Sequence, residues 1–548
     1  MQVRNKLRRS VKRTIKDLQE RGSLPAGSFG KIKIERPQRD GQGDYATSIA
    51  MQIASFANRK PKTIAKILTK ELKNDSELAK MFKDIQVASP GFINFYFADE
   101  YVGKLLLKLV KDDRLGAPDV GKGKKINFEF ISVNPTGQLH IGHGRAAFFG
   151  DSLARILSFA GFDLVREYYI NNARQSAQIK ELGKTALKRG TSYKSPYLDK
   201  KLREFSKSLS RMKNSEAAGY FLANKIQKDI KDFLAKKAKI KFDVWTEEEY
   251  LYKKRLVAET FRELKNKNLT YENDGAVWLK TTKYGDTQDQ VLVRQNGENT
   301  YFMADIAYHT DKAKRGFDKM IDIWGADHQG HVKRMGVALR MFGIKKFEIL
   351  ITQIVRLKGR VKLSKRKGNI VALEDLIDDI GLDSTRYFYL TKSLNSQMEI
   401  DLNLARMQNN KNPVFYIQYT HARICSILRK SKTLIASTAF GARLSDKYRL
   451  QEINKKTLDK LGERGEFDLA KKLLAFGDII EDIAQDYQVH RLTTYVYELA
   501  HEFNQFYRDF RVIEGRVVNE GGLALTMTTG LVIKQCLDLL GIGAPEKM

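Results

Sequence analysis

The chain has 548 residues, 42% of them hydrophobic, which is too long for one ordinary core and suggests three or so globular domains. Its 97 Lys and Arg against 65 Asp and Glu leave a formal charge of +32, which suits a polyanionic partner held through phosphates, or simply a lysine-rich surface. Two cysteines, Cys425 and Cys536, exclude a cysteine-based zinc cluster and a disulfide framework beyond one bond; no apolar run approaches the roughly 18 to 20 residues of a membrane helix, and the N-terminus lacks the apolar core of a secretory signal.

Residues 1–115 read as a small α/β domain. A basic helix opens it, with Val3, Leu7, Val11, Ile15 and Leu18 on one face. Lys31-Ile-Lys-Ile-Glu-Arg alternates as a strand does. Gly43-Asp44-Tyr45-Ala46-Thr47 is expected to open a second helix, a third runs through Ile64, Ile67 and Leu68, and Phe92 to Phe97 reads as a strand. Gly116-Ala-Pro-Asp-Val-Gly121-Lys122-Gly123 nearly matches a phosphate-binding loop. Gly123 stands where Ser or Thr is needed, and the segment precedes a strand instead of following one, so it reads as a linker.

The stretch 128–145 is Phe-Glu-Phe-Ile-Ser-Val-Asn-Pro-Thr-Gly-Gln-Leu-His-Ile-Gly-His-Gly-Arg. Ile126, Phe128 and Phe130 alternate with Asn127 and Glu129, which is strand patterning. Asn134-Pro135-Thr136-Gly137 breaks it, and a helix is expected from near His143. His140 and His143 therefore sit at a strand-to-helix junction, with Gly142 and Gly144 leaving room for a ligand. A helix start offers unpaired N–H groups and positive charge, and two imidazoles can add donors to a phosphate gaining charge.

Residues 164–170 read as a strand, followed by Asn171-Asn172-Ala173. A lysine-rich helical insertion near 180–290 separates the two halves of a βαβ fold. Ala276 to Leu279 and Gln290 to Arg294 resemble paired strands, and Tyr301 to Tyr308 enters a helix on which Tyr301 and Asp305 share a face. Met320-Ile-Asp-Ile-Trp-Gly325 is a buried-type strand ending in Ala326-Asp327-His328-Gln329-Gly330-His331. His328 and His331 lack the further ligands a metal site needs, so no protein-held metal is expected. Val361-Lys362-Leu363-Ser364-Lys365-Arg366-Lys367-Gly368-Asn369 places two lysines three apart on a loop, where they can clamp a triphosphate. From Ile400 onward the pattern is helical, with Leu469 to Ile483 read as one helix.

Together, His140-Ile-Gly-His143 and Lys362-Leu-Ser-Lys365 resemble the two signatures of class I aminoacyl-tRNA synthetases. The likeness narrows to arginyl-tRNA synthetases through Val133 to Arg145, Arg166-Glu-Tyr-Tyr-Ile-Asn171, Ala304-Asp305-Ile-Ala-Tyr308-His309, Trp324-Gly-Ala-Asp327-His328 and Asn412-Pro-Val-Phe-Tyr-Ile-Gln-Tyr419. The second signature departs from the usual form, with Leu for Met and Arg366 for the final Ser. The resemblance implies a class I Rossmann-like α/β catalytic domain with insertions over 116–400, a small N-terminal α/β domain over 1–115, and an all-α anticodon-binding domain over 401–548. It implies an ATP-dependent arginine–tRNA ligase, with Mg²⁺ accompanying ATP, tRNA(Arg) and L-arginine as partners, and tRNA needed before activation. A cytoplasmic monomer with no membrane partner is expected. His140, His143, Lys362 and Lys365 are the implied catalytic residues. Thr136, Gly137, His140, Gly142, His143, His328, Lys362, Ser364 and Lys365 are implied for ATP. Glu129, Ser132, Asn134, His143, Tyr301, Asp305 and Asp327 are implied for arginine, whose guanidinium needs planar carboxylate acceptors such as Glu129 and Asp305. Another class I synthetase or nucleotidyltransferase, and an inactive RNA-binding paralogue, share the motifs and stay open at this point.

Overall fold

The computed structural model describes residues 2–37, 41–359, 371–436 and 464–548. The helix Gln2–Glu20 buries Val3, Leu7, Val11, Ile15 and Leu18, the stripe its spacing predicts. Next come three antiparallel strands, β1 (Tyr45–Thr47), β2 (Phe82–Ala88) and β3 (Phe92–Phe97), in the order β1-β3-β2. Two readings fail in this region. Lys31 to Arg36 buries Ile32 and Ile34 as an alternating segment should, but it makes only one bridge, Glu35 to Ala46. Burial of alternate side chains does not require a ladder, and Pro37 has no N–H to extend one. Tyr45–Thr47 is a strand, and the helix starts only at Ile49. Gly43, at φ +83°, brings the chain so close to β3 that a Cβ would lie 2.9 Å from the Phe95 carbonyl oxygen.

A parallel sheet carries the centre of the molecule. Its strands β4 (Lys125–Glu129), β5 (Asp163–Ile170), β6 (Val244–Glu247), β10 (Lys319–Gly325) and β11 (Phe347–Thr352) lie in the order β11-β10-β4-β5-β6. The chain runs outward from β4 to β6, then returns to lay β10 on the other side of β4. The carboxyl ends of β4 and β10 thus form the switch point at which such sheets bind ligands. In β4 both faces are buried, including Asn127 and Glu129, so its polar residues do not face water as the alternation suggests.

The lysine-rich stretch is divided by β6. Helices Ala177–Ala186 and Ser215–Lys236 pack together between β5 and β6. The antiparallel strands β7 (Thr270–Asn273), β8 (Ala276–Leu279) and β9 (Gln290–Val293) fall between β6 and β10. After the sheet, β12 (Val355–Lys358) pairs in parallel with β13 (Met398–Asp401).

The C-terminal part is built on helices Pro413–Ala436, Arg464–Leu474, Phe476–Asp486, His490–Asp509 and Glu520–Leu540. The single helix read from Leu469 to Ile483 is two, broken at Ala475, and a short hairpin pairs Ile513–Glu514 with Val517–Val518. The reading that no segment has the length and hydropathy of a membrane helix is also corrected. Glu520–Leu540 reaches a mean hydropathy of 1.4 because its threonines and glycines weigh little against Leu, Val and Ile. Here 72% of that stretch is buried inside the protein, against the helices of the same region.

The N-terminal and C-terminal parts meet at a buried ionic cluster. Asp478 lies 3.3 Å from Arg4 and 2.7 Å from Arg36, and accepts a 2.6 Å hydrogen bond from the Tyr45 hydroxyl. Burial opposes its ionisation, yet Arg36 and Arg4 hold its carboxyl below the usual range. Asp478→Ala would leave two buried guanidiniums short of their carboxylate, a loss of about 3–5 kcal/mol. The expected result is a lower urea midpoint than wild type; equal midpoints would show that the cluster does not hold the two parts together.

Candidate active site

The loop leaving β4 is tied down before it reaches the histidines. Ile131 and Ser132 take φ of +73° and +39°, which costs a β-branched residue dearly, so the surroundings must impose it. They do so from β5. The Ser132 hydroxyl accepts from Tyr169 N at 3.0 Å, its carbonyl accepts from Asn171 at 3.0 Å, and Val133 N donates to the Tyr168 hydroxyl at 3.2 Å. Asn134 is exposed, and its carbonyl accepts from Thr136 N to close a tight turn before Gly137.

His140 caps the helix Ile141–Phe159. Its ring stacks on that of His143, with centroids 3.6 Å apart. Gly142 N donates to His140 Nδ1 at 3.1 Å, and His140 N donates to His143 Nδ1 at 3.2 Å. Both Nδ1 atoms therefore accept, which leaves each neutral ring with its proton on Nε2. Burial pushes His143 down to about 3 and also lowers His140, so both rings are uncharged near neutrality. Ile141 N bonds to the Val371 carbonyl and His143 N to that of His140. The expected unpaired N–H groups of this helix start are thus all occupied, and the donors left for a ligand are the two Nε2–H groups. Gly142 has no room for a side chain, because a Cβ would lie 2.9 Å from the His140 ring.

On the other side of the crevice, Thr300 caps the helix Tyr301–Lys314. Tyr301 is exposed at its start. One turn on, Asp305 is half-buried; its carbonyl meets His309 Nδ1 at 2.7 Å, while its carboxylate has no hydrogen-bond or ion-pair partner among the described residues, and burial pushes that carboxyl up to about 6. Glu248 follows β6, is buried, accepts only from Ala173 N at 3.3 Å, and is pushed up to about 7 by the same desolvation, to which the charge of Asp305 adds. A cavity of about 340 Å³ opens beside them, lined by Glu248, Tyr252, Tyr301, Lys180 and Arg294 among others.

Beneath lies an ionic layer. Lys312, fully buried, donates at 2.8 Å to Glu129 and at 2.8 Å to Asp322. Tyr308 also reaches Glu129 at 2.8 Å, and His309 pairs with Asp322 at 2.7 Å. One oxygen of Glu129 is therefore taken up by Lys312 and Tyr308.

Three family profiles match this chain. The arginyl tRNA synthetase N-terminal domain matches residues 5–97, the class I (R) tRNA synthetase catalytic domain 105–179 and 171–410, and the DALR anticodon binding domain 417–548. The arginine–tRNA ligase of Desulforamulus reducens is 38% identical over 100% of this chain and 99% of its own; that of Listeria welshimeri is 38% identical over 96% of each. The chain belongs to the arginyl-tRNA synthetase family. Its fold agrees with the arginyl-tRNA synthetases of Thermus thermophilus (20% identity, TM-score 0.76, covering 99% of this chain and 100% of that one) and Plasmodium falciparum (19%, 0.76, 99% of both).

For an aminoacyl-tRNA ligase of this family, the residues read from the sequence fall into three sets. His140 and His143 come together as a pair of Nε2–H donors, with Gly142 between them; Tyr301 lines the cavity, Asp305 lies one turn further along the same helix, and Glu129 lies in the ionic layer beneath. Asp327 and His328 lie on a 3-10 turn at the end of β10, exposed and 3.4 Å from each other. Lys362, Ser364 and Lys365 lie outside the described residues. Sequence reasoning misses Glu248, Lys312 and Asp322. Signals for two of them exist: an acid inside the apolar strand Met320-Ile-Asp322-Ile-Trp, and three consecutive acids, Glu247 to Glu249, closing a lysine-rich stretch.

The raised carboxyls set a sign for pH. Asp305 and Glu248 are charged only above their shifted values, so a cationic ligand loses its counter-charges as pH falls through 7 and then 6. The KM for arginine should therefore climb steadily between pH 8 and 5.5, while His143, held down to about 3 by burial, adds no titration there. A KM flat across that range would remove both acids from the site.

Proposed function

We propose that this chain joins L-arginine to the 3′ end of tRNA(Arg) in two steps at the β4–β10 crevice. The observation that carries this reading is the pair Asp305 and Glu248, two desolvated acids that make no ion pair among the described residues. A guanidinium offers planar pairs of N–H donors to two carboxylates, which a lysine ammonium does not. Glu129, held by Lys312 and Tyr308, supplies a third acid, and the family resemblance adds Tyr301 and Asn134 to the arginine set.

In the first step an arginine carboxylate oxygen attacks the α-phosphorus of ATP, the bond to the bridging oxygen breaks, and pyrophosphate leaves. His140 and His143 donate Nε2–H to the α-phosphate oxygens as these gain charge, a role open to neutral rings. Lys362 and Lys365 hold the outer phosphates and follow the pyrophosphate. The family resemblance supports that assignment, as does the packing of β12 and the bonding of Val371 against the helix His140 caps. Mg²⁺ would ride on the ATP phosphates; among the described residues no group of His, Cys, Asp or Glu is arranged to hold a metal ion itself. In the second step the terminal ribose hydroxyl of tRNA attacks the carbonyl carbon of arginyl-adenylate and AMP departs. The requirement for tRNA before activation rests on the resemblance.

Pyrophosphate exchange with a panel of amino acids, with and without tRNA(Arg), tests the reading. Exchange should be confined to arginine and depend on the RNA; exchange with another amino acid, or none, would overturn it. His143→Ala should slow arginine activation on the order of 10²-fold or more while leaving the tRNA Kd within about twofold. A wild-type rate would take His143 out of the chemistry.

A further inference from the structure

Near the carboxyl end of β5, one buried side chain carries a polar atom that the free protein does not use. Tyr169 is only 5% exposed, and its hydroxyl is shut off from solvent with no hydrogen-bond partner among the described residues. The other buried tyrosines there are satisfied. Tyr45 donates to Asp478 and Tyr308 to Glu129; Tyr389 donates to the Ile141 carbonyl at 2.6 Å, Tyr495 to that of Lys472 at 3.0 Å and Tyr387 to that of Thr493 at 3.5 Å, while Tyr168 accepts from Val133 N. A hydroxyl taken out of water without a partner destabilises the fold, and phenylalanine would fill the same space without that penalty. Packing gives no reason for the oxygen, since the ring belongs to an apolar cluster with Leu251, Phe302, Met303 and Ile306.

The ring is held in place by what surrounds it. It stacks on Tyr308, with centroids 4.1 Å apart and planes inclined by 22°, and Tyr308 is itself fixed by bonds to Glu129 at 2.8 Å and Glu167 at 3.0 Å. Tyr308 lies three residues after Asp305 on one helix, hence on the same face. In the sheet, Tyr169 is the register partner of Thr246 in β6, two residues before Glu248. The two elements against which Tyr169 is set are therefore those that lead to Asp305 and Glu248. Burial pushes its phenol well above the usual range, and the charges of Glu248, Asp305, Tyr252 and Glu129 add to the effect, so the hydroxyl stays neutral. Of these neighbours, Glu248 and Tyr252 line the cavity. A guanidinium brings five N–H donors and no acceptor. Where acids already repel one another, a phenol oxygen takes one of those N–H groups without adding negative charge.

We infer that Tyr169 is a specificity-determining residue of the amino-acid site, its hydroxyl accepting an N–H of the arginine guanidinium alongside the carboxylates of Asp305 and Glu248. This rests on the aminoacylation reading above. It accounts for the orphaned oxygen: its partner is the substrate, and the free protein carries an unsatisfied group that binding satisfies. It also sharpens selection. An amino acid with fewer N–H donors leaves the hydroxyl buried and unpaired in the complex, and a site built to hydrogen-bond a substrate group rejects analogues lacking that group far more strongly than an apolar pocket rejects a wrong shape.

The test compares the full chain, wild type and Tyr169→Phe, in tRNA(Arg) charging and in thermal melting without ligands. The KM for arginine should rise about tenfold or more, because a hydrogen bond to a charged group is lost from the complex. The kcat and the KM for ATP should stay within about twofold, as they do when binding shared by ground and transition states is removed. The Tm of the variant should equal or exceed that of wild type, since the free protein no longer buries an unpaired hydroxyl. A hydroxyl that serves the fold predicts a lower Tm, so a fall in Tm would overturn the inference, as would an unchanged KM for arginine. Inhibition of charging by argininic acid, which keeps the guanidinium but carries a hydroxyl in place of the α-ammonium, should weaken by the same factor as arginine binding. Unchanged inhibition would place the oxygen on the ammonium and also overturn it. Failure of the functional reading is distinguishable, because it would appear as absence of arginine charging by the wild-type chain.

Discussion

Two carboxylates stand opposite each other on neighbouring strands at the centre of this molecule. Asp322 of β10 and Glu129 of β4 are register partners, both buried, so their charges face across a few ångströms of sheet. Such a pair is tolerable only with a cation between, and Lys312 supplies it from the helix Tyr301–Lys314. One side chain thereby fixes the rotation of that helix over the sheet. The rotation points Asp305 and Tyr301, two and three turns earlier, at the crevice. The layer gathers the acids Glu129, Glu167 and Asp322 around Lys312, Arg315 and, when protonated, His309.

The opposite wall works by a different physical device. A helix start is usually an anion site because its first N–H groups have no partners. Here those groups are spent internally, on Nδ1 of each histidine, on the carbonyl of His140 and on Val371. The expenditure locks both rings into one tautomer and turns their Nε2–H groups outward. The site thus exchanges flexible backbone donors for two stacked, uncharged and pre-oriented ones. An uncharged donor strengthens as phosphate charge builds without binding the ground state as a full cation would, which is the differential that lowers a barrier. The bond to Val371 also joins this wall to the chain that follows the second lysine motif.

Much of this could be read from the residues themselves, and the failures are instructive. His140, Gly142 and His143 announced a strand-to-helix turn because proline, glycine and histidine occur in that order where a strand pattern stops. Tyr301 and Asp305 announced a shared face because four residues make about one turn. Some of the misreadings concern partners distant in sequence. Lys31 to Arg36 alternates like a strand but finds almost no strand to pair with. The alternation of Glu129 with Phe128 and Phe130 did not show that its face is buried too, since nothing local shows that Lys312 and Tyr308 of the helix Tyr301–Lys314 reach it. The helix Glu520–Leu540 looked too interrupted to be strongly apolar because its threonines, each bonded back to a carbonyl one turn earlier, count as polar only when read singly.

The sequence by itself determined the periodicities, the two signatures, the excess of positive charge and, through resemblance, the family; these depend on residue type and spacing within one segment. The tertiary structure alone decided which acids are left without a cation, which histidine nitrogen carries the proton and which lysines are unpaired. Each of those depends on burial and on a partner from another part of the chain. Desolvation raises Asp305 and Glu248 because the fold buries both carboxyls, one on the helix after β9 and one just after β6. Lys312 and Lys200 are the same residue type in the sequence, but the fold buries one between two carboxylates and leaves the other exposed with no ion pair among the described residues.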